Sequence, residues 1–376
     1  MNAFAQNILF IFYIWNCICI ILLNIRINNI ISIEYFKKLG SEVVMAVTIK
    51  EVAKLANVSP STVSRVIADN PRISDATKQK VYKAMKEIDY HPNAIARSLV
   101  SKTTKTIGLI LPNSDEDLFV NPFFIQIMRG ISHYAQKKGY YIMYTYSDNE
   151  DQEVEYISSL MNTRRVDGII LPTVRKDDKC IDYLKKSNYP FVVIGKPENT
   201  QGISWVDNDN FHAMYSVVNF LIQKGERKIA FIGGAATLNV TINRLEGYKK
   251  AMESIGEEID EDMIEVAEFT EKSGYDAMKK ILSKSKPTAV VTTDDLIAFG
   301  ASKAIYESSD QTISIVGFNN TPLAAYRNPS LSSVDINSEE LGYYAVKLLI
   351  NKLENENTYI NNYVIDTKLV ERESTK

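Results

Sequence analysis

The most readable chemistry in this sequence sits on one short stretch. Pro60 to Ala68 reads PSTVSRVIA. At helical spacing Val63, Val66 and Ile67 share one face, which leaves Ser61, Thr62, Ser64 and Arg65 on the other. Short hydroxyls reach phosphate oxygens, and an arginine can make a bidentate contact to the edge of a guanine. Displayed on the exposed N-terminal part of a helix, this set suits a DNA major groove. The competing reading is a small helical subdomain with a polar face.

A second set lies far downstream, where polar residues follow apolar runs. Asn121-Pro122-Phe123-Phe124, Arg244, Asp294 and Asn319-Asn320 are of the types that hold sugars, which need planar donors and acceptors beside an aromatic floor. Helix capping or packing is the competing role, above all for Asp294 and Asn319 at strand-to-helix junctions. Catalytic chemistry finds little support. Gly233-Gly234-Ala235-Ala236 follows a strand without forming a dinucleotide or phosphate-loop motif. His91, His133 and His212 are far apart, and Asp294-Asp295 has neither a histidine nor a third acid nearby. No enzyme activity, metal or cofactor is expected.

The elements that must position these residues follow from periodicity. Thr48 caps a helix over IKEVAKLA, Asn57-Val58-Ser59 is a tight turn, and Pro60 opens the next helix. Ser74 caps a third, DATKQKVYKAMKEIDY, which ends at His91-Pro92-Asn93. AIARSLVSK then reads as a helix-prone segment too short to be stable alone. From Thr106 apolar strands alternate with helices. Strands are expected at 107–112, 140–146, 166–172, 190–195, 228–233, 264–269, 289–293 and 313–318. Helices are expected near 122–138, 150–163, 208–224, 241–255, 273–283, 296–307 and 339–353. Near-continuous apolar strands between helices mean parallel sheets covered on both faces, here in two doubly wound lobes. Ligands in such sheets sit at the C-terminal strand ends, so the cleft between lobes is the expected pocket.

Composition fits this division. The chain has 376 residues and a formal net charge of -3, which by itself argues against a nucleic-acid binder. Yet Met45–Lys105 carries eleven Lys/Arg against five acids, so a basic module precedes an acidic body. Of three cysteines, Cys17 and Cys19 lie near the N-terminus and Cys180 stands alone, which fits a reducing cytoplasm.

VAKLANVSPSTVSRVI followed by YHPNAIARSL resembles the headpiece of the LacI family of bacterial transcription regulators, and the likeness runs through nearly all of Val47 to Ser374. The phrases VGFNNTPLAAY and FVNPFF look most like the maltose/maltodextrin-operon repressors of low-GC Gram-positive bacteria. The resemblance implies an all-α helix-turn-helix headpiece joined to a two-lobed sensor like the periplasmic binding proteins. Its chain would cross between lobes near Val206, Ser332 and Asn357. It further implies a homodimer on near-palindromic operator DNA. Pro60, Ser61 and Arg65 would read base edges, while Thr48, Ser59, Thr62, Ser64, Ser74 and Asn93 hold phosphates and Arg72 does either. Segment 94–102 would be the hinge helix, with Leu99 wedging into the central base step. Asn, usual in the family at position 68, is Ala here.

By the same resemblance Arg244, Asp294 and Asn319 match effector-contacting positions. The family more often has Asn at 294 and Asp at 319, so the effector need not be its commonest one. Asn121 and Phe123 complete the expected effector set. A small ligand in the cleft would switch DNA affinity. The alternatives are a global catabolite regulator with a phosphorylated carrier protein as co-regulator, or a membrane-anchored sugar receptor. The chain shows no heptad tail at its end, so a dimer rather than a coiled-coil tetramer is expected. Residues 1–44, with their apolar run from Ile8 to Leu23, are expected to be upstream DNA translated from a mis-called start, with a membrane anchor as the alternative. The expected domains are 1–44, the helix-turn-helix at 45–91, the hinge at 92–105 and the sensor at 106–376.

Overall fold

The computed structural model describes residues 47–91, 103–112, 121–147, 149–308, 313–355 and 360–375. The chain divides into one unit ending at Ser101 and another starting at Lys102.

The first unit holds α1 (Ile49–Ala56), α2 (Pro60–Ile67) and α3 (Asp75–Glu87). The Glu51 carboxylate accepts from Thr48 N at 2.7 Å and from its hydroxyl at 3.0 Å, which fastens the start of α1. Asn57, with φ 53°, ends the helix in the left-handed region that asparagine tolerates. Val52, Ala53, Ala56, Val63, Val66, Val81 and Ala84 make the core. The expected helices are therefore present, with α3 three residues shorter at its end. The hinge segment, with Asn93 and Leu99, lies outside the described residues, as do residues 1–44.

The second unit has two lobes, each built on a six-stranded sheet. In lobe one, β1 (Thr106–Leu111), β2 (Tyr141–Tyr146), β3 (Gly168–Leu171), β4 (Phe191–Ile194), β5 (Ser204–Asn208) and β11 (Asn362–Ile365) run β11-β5-β4-β3-β1-β2, every pair parallel. Helices α4 (Pro122–Lys137) and α12 (Ser338–Leu353) cover one face, and α5 (Glu150–Asn162) and α6 (Lys179–Lys186) the other. Ile170 packs into the first layer, while its neighbours Ile169 and Leu171 pack into the second, as strand alternation requires. Helices α4 and α12 cross with almost no gap. A Cβ on Gly130 would lie 1.9 Å from Glu339 O, and one on Gly342 2.2 Å from Ile127 O.

In lobe two, β6 (Ile229–Gly233), β7 (Ile264–Val266), β8 (Ala289–Thr292), β9 (Ser314–Phe318), β10 (Ser332–Asp335) and β12 (Lys368–Val370) run β12-β10-β9-β8-β6-β7. Only β12 is antiparallel. Helices α7 (Asn210–Gln223), α8 (Asn239–Ser254), α9 (Glu271–Lys284), α10 (Asp295–Ser308) and α11 (Pro322–Tyr326) belong to this lobe.

The chain passes between lobes after β5, after β10 and between β11 and β12. The first passage lies close to the expected Val206. The second comes after Asp335, because Ser332 itself starts β10 inside lobe two. The third is a correction. The resemblance implies a crossing near Asn357, but the chain pairs β11 with β5 before it crosses at Asp366-Thr367. Strand β11 carries mostly exposed or half-exposed residues, so it shows no apolar run. Short elements escaped for related reasons: α6, α11, β5, β10 and β12 lack a long periodic signature. Asn208 ties the passages together by donating to Ile336 O at 3.0 Å and Ile365 O at 2.9 Å. Among the described residues no helix is long and apolar enough to cross a membrane.

Candidate DNA-reading face and effector cleft

On the first unit, burying Val63 and Val66 turns the opposite face of α2 outward. Ser59, Pro60, Ser61 and Arg65 are exposed, and Thr62 and Ser64 are partly so. Ser59 caps α2, accepting from Thr62 N at 3.1 Å, and its hydroxyl also meets those of Ser61 at 2.7 Å and Thr62 at 2.9 Å. These hydroxyls form a preset cluster at a helix N-terminus, where anions are favoured. Ser74 caps α3 in the same way, accepting from Thr77 N at 3.4 Å, and Arg72 is exposed just before it. Thr48 differs, since its hydroxyl already donates to Glu51. The expected residues of this unit thus share one small fold, while Asn93 and Leu99 lie outside the described residues.

In the second unit the expected polar residues converge. A cavity of about 230 Å³ opens between the lobes, and Asn121, Phe123, Arg244, Asp294 and Asn319 all line it. Both sheets reverse strand order beside it, between β1 and β3 in lobe one and between β6 and β8 in lobe two. At such switch points adjacent connections leave in opposite directions and open a crevice at the strand ends.

Arg244 enters from α8 and is buried. Its Nε donates to Asn210 Oδ1 at 2.9 Å and its Nη1 to Thr293 O at 2.6 Å, while the guanidinium lies 4.1 Å from the Phe318 ring centroid. Burial pulls its pKa down to about 10, against the opposing pull of Asp207, Asp294 and Asp295, so it stays charged at neutral pH. Asp294 follows β8. Its Oδ1 accepts from Leu296 N at 2.6 Å, and its Oδ2 from Asn319 Nδ2 at 2.7 Å. Capping and cleft lining are therefore held by one carboxylate, not rival roles. Burial, together with repulsion from Asp295, pushes Asp294 up to about 7, although the Leu296 amide, Arg244 and the Asn121 side chain favour its charge. That last interaction spans the cleft, since Asn121 caps α4 of lobe one and accepts from Phe123 N at 3.1 Å.

Asp295 points elsewhere. It accepts from Ser333 Oγ at 2.6 Å and Thr321 N at 2.7 Å, which fastens β8 to β10. The tandem acids are thus one cleft residue and one structural residue. Among the described residues no group of His, Cys, Asp and Glu is placed to hold a metal ion.

The structure adds residues that sequence reasoning missed. Asp207 and Asn210, at the first passage, support Arg244 through Asn210 Nδ2 donating to Asp207 Oδ1 at 2.9 Å. Arg175, just past β3, lines the cavity and binds Glu153 through both terminal nitrogens at 2.8 and 2.7 Å. Its position after the VDGIILP strand was the available signal. Asp207 gave none, because β5 was not recognised. Glu268, Phe269 and Asn239 also line the cavity.

Comparison with known proteins decides the family. Residues 48–93 match the model for bacterial regulatory proteins of the lacI family, and 218–375 match that for the periplasmic binding protein-like domain. The HTH-type transcriptional regulator MalR of Streptococcus pneumoniae is 38% identical over 336 residues, 87% of this chain and all of that one. This chain belongs to the LacI family. Two solved structures are similar. A complex of the transcriptional regulator CelR with cellobiose has 29% identity and a TM-score of 0.67, covering 87% of this chain and 99% of that one. A probable maltose operon transcriptional repressor, malR, from a Staphylococcus has 25% identity and a TM-score of 0.67, covering 73% and 99%. The LacI-family chain is accordingly a DNA-binding transcription regulator and not an enzyme.

Proposed function

We propose that this LacI-family chain is a cytoplasmic homodimer that represses a sugar-utilisation operon of the maltose/maltodextrin class and leaves its operator when an uncharged sugar fills the cleft. One observation carries the ligand class. Acids outnumber cations among the described lining residues: Asp207, Asp294 and Glu268 stand against Arg175, which is paired with Glu153, and Arg244, which keeps three N–H groups after its bonds to Asn210 and Thr293 O. Such a site repels phosphate and suits hydroxyls, and Phe123 and Phe269 offer apolar faces for a sugar ring. The cellobiose held by CelR and the operon named for malR point the same way.

On DNA, Pro60, Ser61 and Arg65 read base edges, and Ser59, Thr62, Ser64 and Ser74 hold phosphates, with Arg72 in either role. Leu99 and Asn93 contribute from the hinge and its approach. Thr48 holds a phosphate only by releasing the Glu51 carboxylate, which takes both its N–H and its hydroxyl. Pairing of two copies is supported by β2, the outer strand of its sheet among the described residues, which exposes Tyr141, Tyr144 and Tyr146. Ligand in the cleft favours one lobe arrangement over the other, and that differential affinity reaches the DNA unit.

A gel-shift titration on the chain's own upstream DNA, with and without maltose and maltotriose at fixed salt, tests this. Tight binding weakened by sugar is the expected result. Tight binding indifferent to both sugars would overturn the ligand assignment and transfer the effector role to another metabolite or a phosphorylated carrier protein.

A further inference from the structure

Backbone bridges the two lobes at the wall of the cavity. Loop 174–176 of lobe one and segment 237–239 of lobe two meet as a short antiparallel contact centred on Arg175 and Leu238. Lys176 N donates to Thr237 O at 2.8 Å, and Asn239 N donates to Val174 O at 3.1 Å. The lobe-one arm is braced from behind, because Arg175 holds the buried Glu153 with both terminal nitrogens and its own N donates to Asp178 Oδ2 at 3.1 Å. The lobe-two arm leads into α8, the helix that carries Arg244, and Asn239 is that helix's first residue.

Asn239 belongs to both the bridge and the cavity. It is 6% exposed and lines the cleft. Its Nδ2 donates across the lobes to Lys196 O at 3.1 Å. Its Oδ1 is buried without a partner among the described residues. A buried acceptor left unmet opposes the arrangement that buries it. This oxygen has almost no exposed surface, so a hydroxyl donor meets it when the side chain shifts toward the cavity that Asn239 lines.

We infer that the 174–176/237–239 bridge is a latch on the cleft and that Asn239 is the residue that makes its closure depend on a hydroxyl-bearing ligand. This rests on the reading of the cleft as a sugar site. The amide nitrogen closes the lobes and the amide oxygen reads the ligand, so each event favours the other by the same factor. Ligand exchange requires the two backbone bonds to open. A ligand lacking a donor at this point enters the cavity and leaves the latch loose.

The test uses the full chain and compares it with Asn239→Ala and Asn239→Asp. Calorimetry with maltose, maltotriose and cellobiose gives affinities, and hydrogen exchange follows the Lys176 and 239 amides. In the unmodified chain these amides exchange slowly, and more slowly with bound sugar. Asn239→Ala weakens sugar binding tenfold to a hundredfold and speeds Lys176 exchange. Asn239→Asp keeps an acceptor but loses the donor to Lys196 O, so it speeds exchange more than it weakens binding. A melting curve confirms that each variant is folded. Unchanged sugar affinity in Asn239→Ala, or Lys176 exchange that is fast in the sugar-bound unmodified chain, overturns the latch. An unmodified chain that binds none of the three sugars, with a protected Lys176 amide opened by Asn239→Ala, overturns the sugar reading and the hydroxyl dependence while leaving the bridge as a closure device.

Discussion

Replacing Arg244 by Met should separate ligand response from DNA binding. The substitution keeps much of the stem and removes the guanidinium. Two of its five N–H groups are spent on Asn210 Oδ1 and Thr293 O, which leaves three for a ligand in the cavity. Each hydrogen bond from a charged donor is worth about 1.5–3 kcal/mol. Losing one such bond raises Kd about tenfold to a hundredfold, since 1.4 kcal/mol is roughly a factor of ten. Stability falls as well. Two buried acceptors lose their donor at about 1–3 kcal/mol each. Part of that loss is offset because the buried guanidinium no longer has to be desolvated. A net loss of about 1–3 kcal/mol lowers Tm by ~3–10 °C in a body of this size. The Arg244→Met chain should therefore bind its operator as tightly as the unmodified chain without sugar, yet need about ten to a hundred times more maltotriose for release. A paired gel-shift and calorimetric titration measures both. An unchanged release curve would refute the placement of Arg244 at the ligand. Loss of operator binding by a folded Arg244→Met chain would refute the separation of the two roles.

Other expectations follow from the same geometry. Asp294 has its pKa raised to about 7 by burial, so its folded form holds a proton that the unfolded chain releases near pH 4. Its contribution to stability should be full below about pH 4 and decline as pH rises to about 7, and a series of melting curves should show less of that decline in Asp294→Asn. Sugar hydroxyls that donate to this carboxylate favour its charged form, so affinity should rise from pH 5.5 and level off above about 7. A calorimetric series with the opposite slope would exclude such a contact. Arg65→Ala should weaken operator binding by ~1–3 kcal/mol and relax selection at one base pair of each half-site. Equal weakening on every DNA sequence in a binding-site selection would make Arg65 a phosphate contact instead. Gly342→Ala forces α4 and α12 apart where a Cβ would meet Ile127 O, and overpacking of this kind costs about 1–3 kcal/mol. Chemical denaturation measures it, and an undiminished midpoint would mean that the helix pair yields freely.

Much of this architecture was legible because its signals are local. The apolar spacing of Val63 and Val66, the Ser59 and Ser74 caps and the near-continuous runs in β1, β6 and β9 are all readable within a few residues. The five cleft residues were legible for a different reason: strand ends in parallel sheets have a predictable destination. What escaped was set by distant partners. Strand β11 exists because β5 offers it an edge, and its own exposed residues announce nothing. Arg175 gains its place from Glu153, 22 positions away, and Asn239 from backbone atoms of the opposite lobe.

The Asp294 and Asn319 positions join these two kinds of information. The family resemblance leads one to expect Asn at 294 and Asp at 319, and the exchange suggests a change of ligand. The structure gives a simpler constraint. The two side chains bond each other at 2.7 Å, one donating and one accepting, so reversing both types preserves the pair. What moves is the charge. At 294 it lies beside the first turn of α10, where Leu296 N donates to it, and near Arg244. At 319 it would instead sit at a positive-φ residue after β9. The exchange thus leaves the connection between β8 and β9 intact while shifting the strong acceptor toward Arg244. A ligand that bridges Asp294 and Arg244 gains from that shift, and one that relies on a carboxylate at 319 loses. Exchanging both residues, as Asp294→Asn with Asn319→Asp, should therefore keep the melting temperature close to that of the unmodified chain and change the order of preference among maltose, maltotriose and cellobiose. Either single substitution should lower stability, because Asp294→Asn faces two amides and Asn319→Asp two carboxylates.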